Sequence, residues 1–543
     1  MSTSLNILIA SFMLGAGVAL RWFRKRKKLY DERTDNDTNN PKPGRLRRKM
    51  GPLELIFEFS MKQLQSSVVS NAVFVRTRGA PLSPDVVEKA MRKISRRHPL
   101  LRMTTILQRG PDGYEGYFEE LDRDDVIDLE VFDHGDWRRE FRSALFTPFA
   151  SGQPNWRLKM FESVKNNDDD DSWTTPLIFS FHHSAIDGVT TVTVFSAFVR
   201  YVEQLLAGND VSVTSLPLLS SIEHIANCSV EIPRVLRIML KLFTSLPGPL
   251  VITVMSKLCA GATRIGEIFA EKATATRRDA TNPLEPHIFS YQFTQEETRE
   301  IVETVKRNDA TIFGAFNSAA SFALVDVMRK RGWIPRDEST LIESSYNVSM
   351  RRFMEPPVDG ENVNFMVVLC DLPVRVPSAN TAANFWSQAQ NASNAVKKHI
   401  KSGTHFAKLR ENIIAFTVVI NALGDYLIRL KQRLNPLPLA HPFCVSNRGN
   451  FHLDHAAAVD SPHRVAFDGL VYTASDKNLS SKLCYHNVCT IDGRMSFCMG
   501  YNTTRCPDEL GRQYGRATLE NLLSACNMPT ELDEKRICAI TSD

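Results

Sequence analysis

HHSAIDG, residues 182–188, follows directly after the apolar run LIFSF at residues 177–181. This run is rich in β-prone residues and begins after Pro176, which predicts a short, largely buried strand. Because successive side chains of a strand point to opposite faces, His182 and His183 leave it on opposite sides. Only one of the two histidines therefore points into a given cavity.

The residues after the histidines predict a turn and then a helix. Asp187 and Gly188 form the turn, and the apolar segment that begins at Gly188 extends to about Leu206. A strand that ends in a turn holds a histidine rigidly, and the unperturbed pKa of histidine near neutrality suits a general base. The alternative is a pair of buried structural histidines beside a solvated turn.

The stretch at residues 182–188 resembles the HHxxxDG motif of the acyl-CoA-dependent acyltransferases related to chloramphenicol acetyltransferase. That superfamily includes alcohol acetyltransferases, wax ester synthase/diacylglycerol acyltransferases and the condensation domains of peptide synthetases. The resemblance implies that His183 is the general base and that His182, Asp187 and Gly188 are structural. It also implies acyl-CoA as co-substrate, with no cofactor and no acylated enzyme residue.

Further segments resemble the same superfamily in the expected order. RRHPLLR at residues 96–102 is similar to an entry segment between a helix and a strand. VSMR at residues 348–351 stands where a motif like VNLR supplies the arginine that pairs with the motif aspartate, with Ser349 in place of the usual asparagine. The resemblance therefore implies Arg351 as the partner of Asp187, with Arg352 as the alternative.

SNRG at residues 446–449 resembles the channel segment opposite the histidine in alcohol acetyltransferases. Ser446 and Asn447 are therefore candidate hydrogen-bond donors to a developing oxyanion. The alternative is an ordinary end of a strand at a turn. The plant branch of the superfamily carries DFGWG near its C-terminus, and that motif is absent here.

The resemblance implies an α/β fold with two chloramphenicol-acetyltransferase-like halves, each a mixed sheet plus helices. The halves form a V around a central tunnel that donor and acceptor enter from opposite ends. We expect a membrane anchor with a basic flank at residues 1–28 and a disordered tether at 29–51. The N-terminal half, which carries the motif, then covers 52–282, and the C-terminal half covers 283–543.

Several local elements are predicted from their own residues. Ser83 and Pro84 indicate a helix start, and Thr294 with Glu297 indicates a capping box. The other expected elements are a hairpin within residues 103–120, a strand at 156–161 paired with the motif strand, a helix at 311–328, a strand at 362–369, and two helices at about 381–400 and 405–432.

Three histidines outside the motif are expected at the surface. His98 ends a predicted helix, and His452 and His455 flank Asp454 without a familiar metal signature. The acidic run at residues 166–171 lacks the spacing of a calcium-binding loop and is typical of a solvated hairpin loop. The sequence therefore predicts no metal site.

Composition excludes several classes of protein. The chain has 543 residues, of which 43% are hydrophobic, so it is long enough for two cores. Its net charge is +5, and much of the excess lies in the basic cluster at residues 21–28, which argues against nucleic-acid binding. Ten cysteines without a CxxC spacing favour reduced thiols in the cytosol.

The N-terminus predicts one membrane-anchoring helix. Residues 5–20 carry no charge, and the basic cluster follows them, which places the catalytic body in the cytosol under the positive-inside rule. We expect the endoplasmic reticulum or another internal membrane and a lipophilic acceptor. An amphipathic or organelle-targeting leader is the alternative. Residues 231–270 contain two apolar segments that form either packed helices or a hairpin in the membrane interface.

Three functions fit these features. The first is a membrane-anchored O-acyltransferase that moves an acyl group from acyl-CoA to an alcohol. The second is a condensation-type transferase that uses carrier-protein thioesters, although no carrier or adenylation module accompanies it. The third is a non-catalytic relative that binds a lipid or a protein partner.

Overall fold

The computed structural model describes residues 45–110, 113–122, 127–167, 170–210, 212–228, 265–275, 286–418, 420, 424, 441–459, 461–475, 482–503 and 505–541. The predicted anchor at 1–28, most of the tether and the boundary at 282/283 lie outside the described residues, as does most of the 231–270 segment.

The first large sheet carries the histidine motif at the end of a central strand. Its order is β13-β2-β8-β6-β5, with β7 paired to β8. Neighbouring strands are antiparallel except β5 and β6. The strands are β2 (Val68–Arg78), β5 (Leu129–Phe132), β6 (Trp156–Phe161), β7 (Val164–Asn167), β8 (Asp170–His182) and β13 (Ala466–Ala474).

The second large sheet has seven strands in the order β11-β10-β12-β14-β15-β9-β16. It is mixed, because β12 lies parallel to both β10 and β14 while the other pairs are antiparallel. The strands are β9 (Pro286–Gln292), β10 (Thr340–Ser349), β11 (Val367–Val376), β12 (Phe443–Phe451), β14 (Cys484–Ile491), β15 (Arg494–Asn502) and β16 (Ile537–Ile540).

A small third sheet and the helices complete the described fold. The small sheet has the order β1-β4-β3, with β1 (Arg47–Lys49), β3 (Met103–Gly110) and β4 (Gly113–Glu120). The helices are α1 (Pro52–Leu64), α2 (Pro84–Arg97), α3 (Trp137–Phe146), α4 (Gly188–Leu206), α5 (Ile222–Ile225), α6 (Ile265–Ala275), α7 (Gln295–Arg307), α8 (Ile312–Lys330), α9 (Ala382–Lys401), α10 (Thr404–Val418) and α11 (Asp508–Ala525).

This architecture confirms the mixed α/β class predicted from the sequence. One strand crosses between the sheets: β13 comes late in the chain, yet it pairs with β2 in the first sheet. The chain therefore leaves the second sheet after β12, adds a strand to the first sheet, and returns for β14. The two sheets are joined by the backbone as well as by side-chain contacts.

Most of the locally predicted elements are present. Ser83 caps α2, Thr294 and Glu297 form the capping box of α7, and Thr311 caps α8. The predicted hairpin is β3–β4, and β6 pairs with β8. The strand expected at 362–369 is wrong in its first half, because β11 begins only at Val367.

The core of the second sheet lies against α8, whose alanines permit close packing. Ala315, Ala319, Ala320 and Ala323 are all fully buried. Within the described ranges no single helix has both the length and the apolarity to cross a bilayer. Only α7 and α8 taken together have that length and apolarity, and a bend of 94° separates them.

Candidate active site

Strand β8 presents the two histidines to different environments, as strand alternation predicts. His182 pairs with Val68 in the register of β2 and β8, and its side chain is fully buried. His183 lies one residue beyond the strand, where its backbone N–H donates to the carbonyl of Ser67 at 3.2 Å. Its side chain is only partly buried. His183 is therefore the histidine that a substrate can reach.

The hydrogen bond of His183 determines which ring nitrogen is basic. Nδ1 lies 3.0 Å from the backbone carbonyl oxygen of Ile186. A carbonyl only accepts hydrogen bonds, so Nδ1 carries the proton and Nε2 keeps its lone pair. Nε2 has no hydrogen-bond partner among the residues that the structure describes. Burial lowers the pKa of His183 below its ordinary value, which keeps the imidazole neutral near pH 7.

Two aromatic rings flank the ring of His183. The Phe57 ring, from α1, lies 4.2 Å from the imidazole between centroids, and the Phe365 ring lies 5.7 Å away in an edge-on arrangement. Phe57 and Phe365 also contact each other at 5.1 Å. The His183 ring therefore lies beside an apolar wall built from both halves of the sequence.

Asp187 caps α4 and pairs with an arginine from the other half of the sequence. Its Oδ1 accepts from the backbone N–H groups of Val189 at 3.1 Å and Thr190 at 3.0 Å. Its Oδ2 accepts from Arg351 Nη1 at 2.7 Å and from the Met366 N–H at 2.9 Å. Burial acts to raise the pKa of Asp187, but Arg351 and these N–H groups outweigh it and hold the pKa below its ordinary value.

Arg351, rather than the alternative Arg352, makes this ion pair. Arg351 is buried and also donates through Nη2 to the carbonyl of Asn364 at 2.6 Å. Arg352 is exposed and its guanidinium lies over the Phe353 ring. The backbone at 362–366 binds this ion pair instead of pairing as a strand. The Asn364 carbonyl accepts from Arg351, and the Met366 N–H donates to Asp187. This explains why β11 begins later than predicted.

Gly188 leaves space for a side chain from the second sheet. A Cβ atom at Gly188 would lie 2.9 Å from Cγ of Arg448 on β12. Arg448 donates through Nη1 to Asn71 Oδ1 at 3.0 Å, and its guanidinium lies 3.7 Å from the centroid of the Tyr472 ring. No sequence pattern indicates Arg448, because its three contacts come from segments far apart along the chain.

Ser446 and Asn447 lie just before Arg448 on β12. Ser446 Oγ accepts from Asn347 Nδ2 at 3.2 Å, which leaves its hydroxyl hydrogen free to be donated elsewhere. Asn447 is exposed, and its Oδ1 accepts from the Gly449 N–H at 3.0 Å. Among the described residues neither side chain uses its donor group, and an oxyanion site requires such donors. Whether they serve an oxyanion stays a prediction.

Two of the three histidines expected at the surface are not there. His98 is buried because α2 packs against α4 and the chain turns back at Pro99; burial lowers the pKa of His98 to about 3. His455 lies between Glu203 and Asp492, at 2.7 Å and 3.3 Å, so it belongs to an ion-paired cluster. His452 is exposed, as expected. No group of three or more metal-ligating side chains occurs among the described residues.

Helix α1 carries the other residues that sequence reasoning missed. Phe57 contacts His183, and the next residue, Glu58, places Oε2 at 2.8 Å from Nε2 of His182. More than 100 positions separate α1 from the motif, so no local pattern reveals these contacts. The one local feature is the spacing of Glu54 and Glu58 four residues apart, which places both carboxylates on one face of a helix but indicates no partner.

Comparisons with known proteins agree on a fold and a family. The family model for alcohol acetyltransferase matches residues 139–510. No curated protein matches the sequence. Similar solved structures include a trichothecene 15-O-acetyltransferase from Fusarium sporotrichioides, at a TM-score of 0.58 and 12% identity over 89% of this chain and 95% of that one.

Two further structures share the fold. Polyketide synthase associated protein 5 from Mycobacterium tuberculosis has a TM-score of 0.52 at 14% identity, over 88% of this chain and 97% of its own. The first condensation domain of the calcium-dependent antibiotic synthetase, solved with a substrate analogue, has a TM-score of 0.51 at 12% identity, over 91% and 99%. Likeness at these identities shows a common fold.

Proposed function

Because the chain belongs to the alcohol acetyltransferase family, we propose that it moves an acyl group from acyl-CoA to the hydroxyl of an alcohol, with His183 as general base. The observation that carries this proposal is the hydrogen bond from His183 Nδ1 to the Ile186 carbonyl. It leaves the lone pair of Nε2 available on the only motif histidine that is partly exposed.

The reaction proceeds by direct attack in this proposal. His183 Nε2 takes the proton of the acceptor hydroxyl as its oxygen bonds to the thioester carbonyl carbon. The tetrahedral intermediate then collapses, the C–S bond breaks, and the imidazolium returns the proton to the departing CoA thiolate. A positioned general base contributes about 10²–10⁴-fold to such a rate. Proximity and oxyanion stabilisation supply the rest.

Ser446 and Asn447 are the proposed oxyanion donors. Within the described part of the chain, the Ser446 hydroxyl hydrogen and the Asn447 amide nitrogen donate to no other group, which supports this role. Their neighbour Arg448 contacts Gly188 at the start of α4, which supports a position for the segment near the motif. In the proposed tunnel between the two halves, acyl donor and acceptor approach His183 from opposite ends.

The acceptor is proposed to be apolar around its hydroxyl group. Phe57 and Phe365 form the surface next to His183, and neither ring offers a hydrogen-bonding group. A substrate with several hydroxyls at this position would lose water without regaining hydrogen bonds, which costs about 1–3 kcal/mol for each group. A lipophilic alcohol avoids that cost.

We propose further that residues 5–20 anchor the chain in an internal membrane, such as that of the endoplasmic reticulum, with the catalytic body in the cytosol. Their lack of charge and the basic cluster that follows support this orientation. Carbonate extraction with protease protection on isolated membranes is the test. A pellet-bound, protease-sensitive chain supports the anchor. A chain released by carbonate, or one protected from protease, contradicts it.

The experiment for the activity compares donors and acceptors. Purified protein is incubated with labelled acetyl-CoA or longer acyl-CoA, or with the same acyl groups on a pantetheinylated carrier protein, and with a panel of alcohols of increasing polarity. We expect ester from free acyl-CoA and apolar alcohols. Product only from the carrier-bound thioester would favour the condensation-type function, and no product from any pair would favour a binding protein.

A further inference from the structure

A buried contact between a glutamate and a histidine lies directly behind the proposed base. The Glu58 carboxylate is fully buried, and Oε2 lies 2.8 Å from His182 Nε2, whose ring is also fully buried. Neither carboxylate oxygen of Glu58 nor His182 Nε2 makes a hydrogen bond among the described residues, so the 2.8 Å approach is a close contact without hydrogen-bond alignment. Lys62, one turn further along α1, attracts Glu58 electrostatically, but its Nζ donates to the Phe149 carbonyl at 2.9 Å.

The opposite edge of the His182 ring faces the turn that leads into the motif. Nδ1 lies 2.7 Å from Ser184 Oγ and 3.2 Å from the Ser184 N–H. The backbone N–H and carbonyl of His182 bind the Asn155 carbonyl and the Ala185 N–H, both at 3.0 Å. The ring and the backbone of His182 therefore contact the two residues that follow His183, Ser184 and Ala185.

Stability alone does not explain this pair. A carboxylate without full hydrogen bonding is costly to bury, and well-packed apolar residues of similar size often replace a buried ion pair without loss. The cost of burying this carboxylate therefore points to a role other than stability. The position of Glu58, next to Phe57, which packs against His183, indicates one.

We propose that Glu58 is a positioning residue that acts on His183 through His182. The Ser184 N–H donates to Nδ1 of His182, and the Glu58 oxygen beside Nε2 can only accept from a proton there, so the two contacts together favour the ring with its proton on Nε2. The 182–184 turn is then held in one geometry, with the His183 ring against Phe57 and its Nδ1 on the Ile186 carbonyl. This inference rests on the proposed function, because His183 is the base there.

The protonation of His182 is tested by NMR on the full chain with ¹⁵N-labelled histidine. The chain has thirteen histidines, so a spectrum of His182→Gln identifies the signals that belong to His182. We expect a proton on Nε2 of His182 in the wild-type protein and in Glu58→Gln, whose side-chain carbonyl still accepts. In Glu58→Ala only the Ser184 contacts remain at the two ring nitrogens, so we expect the share of His182 with its proton on Nε2 to fall below that of the wild-type protein. A wild-type His182 with its proton on Nδ1 alone would overturn the proposal.

The kinetic test compares Glu58→Ala with Glu58→Gln. A displacement of the base by about 1 Å costs on the order of 10²-fold in rate, so we expect kcat of Glu58→Ala to fall by about that factor. KM should stay unchanged because Glu58 touches no substrate. Glu58→Gln should keep most of the wild-type kcat.

Glu203→Gln is the matched control. Glu203 is also a fully buried glutamate paired with a histidine, His455, but it lies near the far end of α4, 15 residues after Gly188. Its substitution should lower thermal stability without changing kcat. Wild-type kcat in folded Glu58→Ala, or an equal loss of kcat in Glu203→Gln, would contradict the proposal.

The NMR experiment distinguishes failure of the proposed function from failure of the proposed role of Glu58. If the wild-type chain transfers no acyl group, the kinetic comparison disappears, but the His182 signals still show whether Glu58 fixes the ring. A wild-type proton on Nε2 whose share falls in Glu58→Ala would then support the structural part of the inference. If Glu58→Ala does not fold, the wild-type and Glu58→Gln spectra remain decisive.

Discussion

At the residue scale, the difference between two adjacent histidines explains which one can act as a base. His182 is the last residue of β8 and His183 follows it directly, and the two side chains were predicted to point to opposite faces. His182 is enclosed between Glu58 and Ser184, whereas His183 has one nitrogen on a backbone carbonyl and the other free within the described residues. The alternation of strand side chains was sufficient to predict this division. The identity of the groups behind His182 was not predictable, because they come from α1.

The pH dependence of the rate reports the state of His183. A general base acts when neutral, and burial lowers the pKa of His183 below its ordinary value of 6.5. We therefore expect kcat/KM to be fully developed above pH 6.5 and to fall only as the pH drops through the lowered pKa of His183 in the free enzyme. The measurement is kcat/KM between pH 5 and pH 9 with a single alcohol. An acid limb centred above pH 6.5 would contradict this assignment.

At the scale of elements, the turn between β8 and α4 is fixed by one ion pair. Asp187 caps the helix and binds Arg351 from the other half of the sequence, and the Met366 backbone completes the contact. Resemblance to a family motif predicted this pair from the sequence. The irregular backbone at 362–366 was not predicted, because the residues of this segment have the composition of a strand. Its backbone groups instead bind Arg351 and Asp187.

A double-mutant cycle measures the pair. Asp187→Asn keeps an oxygen for the helix cap but removes the charge, and Arg351→Met removes the guanidinium. Each single substitution leaves the other member of the pair as an unpaired buried charge. We expect each to lower the free energy of unfolding by about 3–5 kcal/mol. The double variant should lose clearly less free energy of unfolding than the two single variants lose together. Arg352→Met, at an exposed position, is the control, and strict additivity would refute the pairing.

At the scale of the whole molecule, the order of local elements was predictable but their assembly was not. Caps, hairpins and amphipathic helices follow from residues close together in sequence, and these were largely correct. The transfer of β13 into the first sheet depends on pairing between residues 466–474 and 69–76, which no local pattern specifies. The burial of His98 was missed for the same reason, because α4 covers it from a distant part of the chain.

Buried neutral histidines should make the whole protein sensitive to acid. Burial lowers the pKa of both His98 and His486 to about 3, against an ordinary value of 6.5. Unfolding at pH 5 lets each take up a proton, so each should cost about 2 kcal/mol of stability relative to pH 7.5. Their contribution is fully present above pH 6.5 and is lost as the pH falls towards 3.

Denaturant unfolding at pH 7.5 and pH 5 measures this loss. His486→Leu removes one of the two titrating groups, so the stability difference between the two pH values should shrink by about 2 kcal/mol. The absolute stability of this variant also changes, because His486 forms a hydrogen bond with the Tyr514 hydroxyl. The stability difference between pH 7.5 and pH 5 nevertheless reports only the protonation of the histidine. His452→Gln, at an exposed position, serves as control. An unchanged difference in His486→Leu would contradict the prediction.

The most direct test of the central claim is the rate of ester formation from labelled acyl-CoA and an apolar alcohol by the wild-type protein and by His183→Ala. We expect the wild-type chain to form ester and the rate of His183→Ala to be lower by about 10²–10⁴-fold, with an unchanged melting temperature. Ester formation by His183→Ala at the wild-type rate would contradict the assignment of His183 as the base.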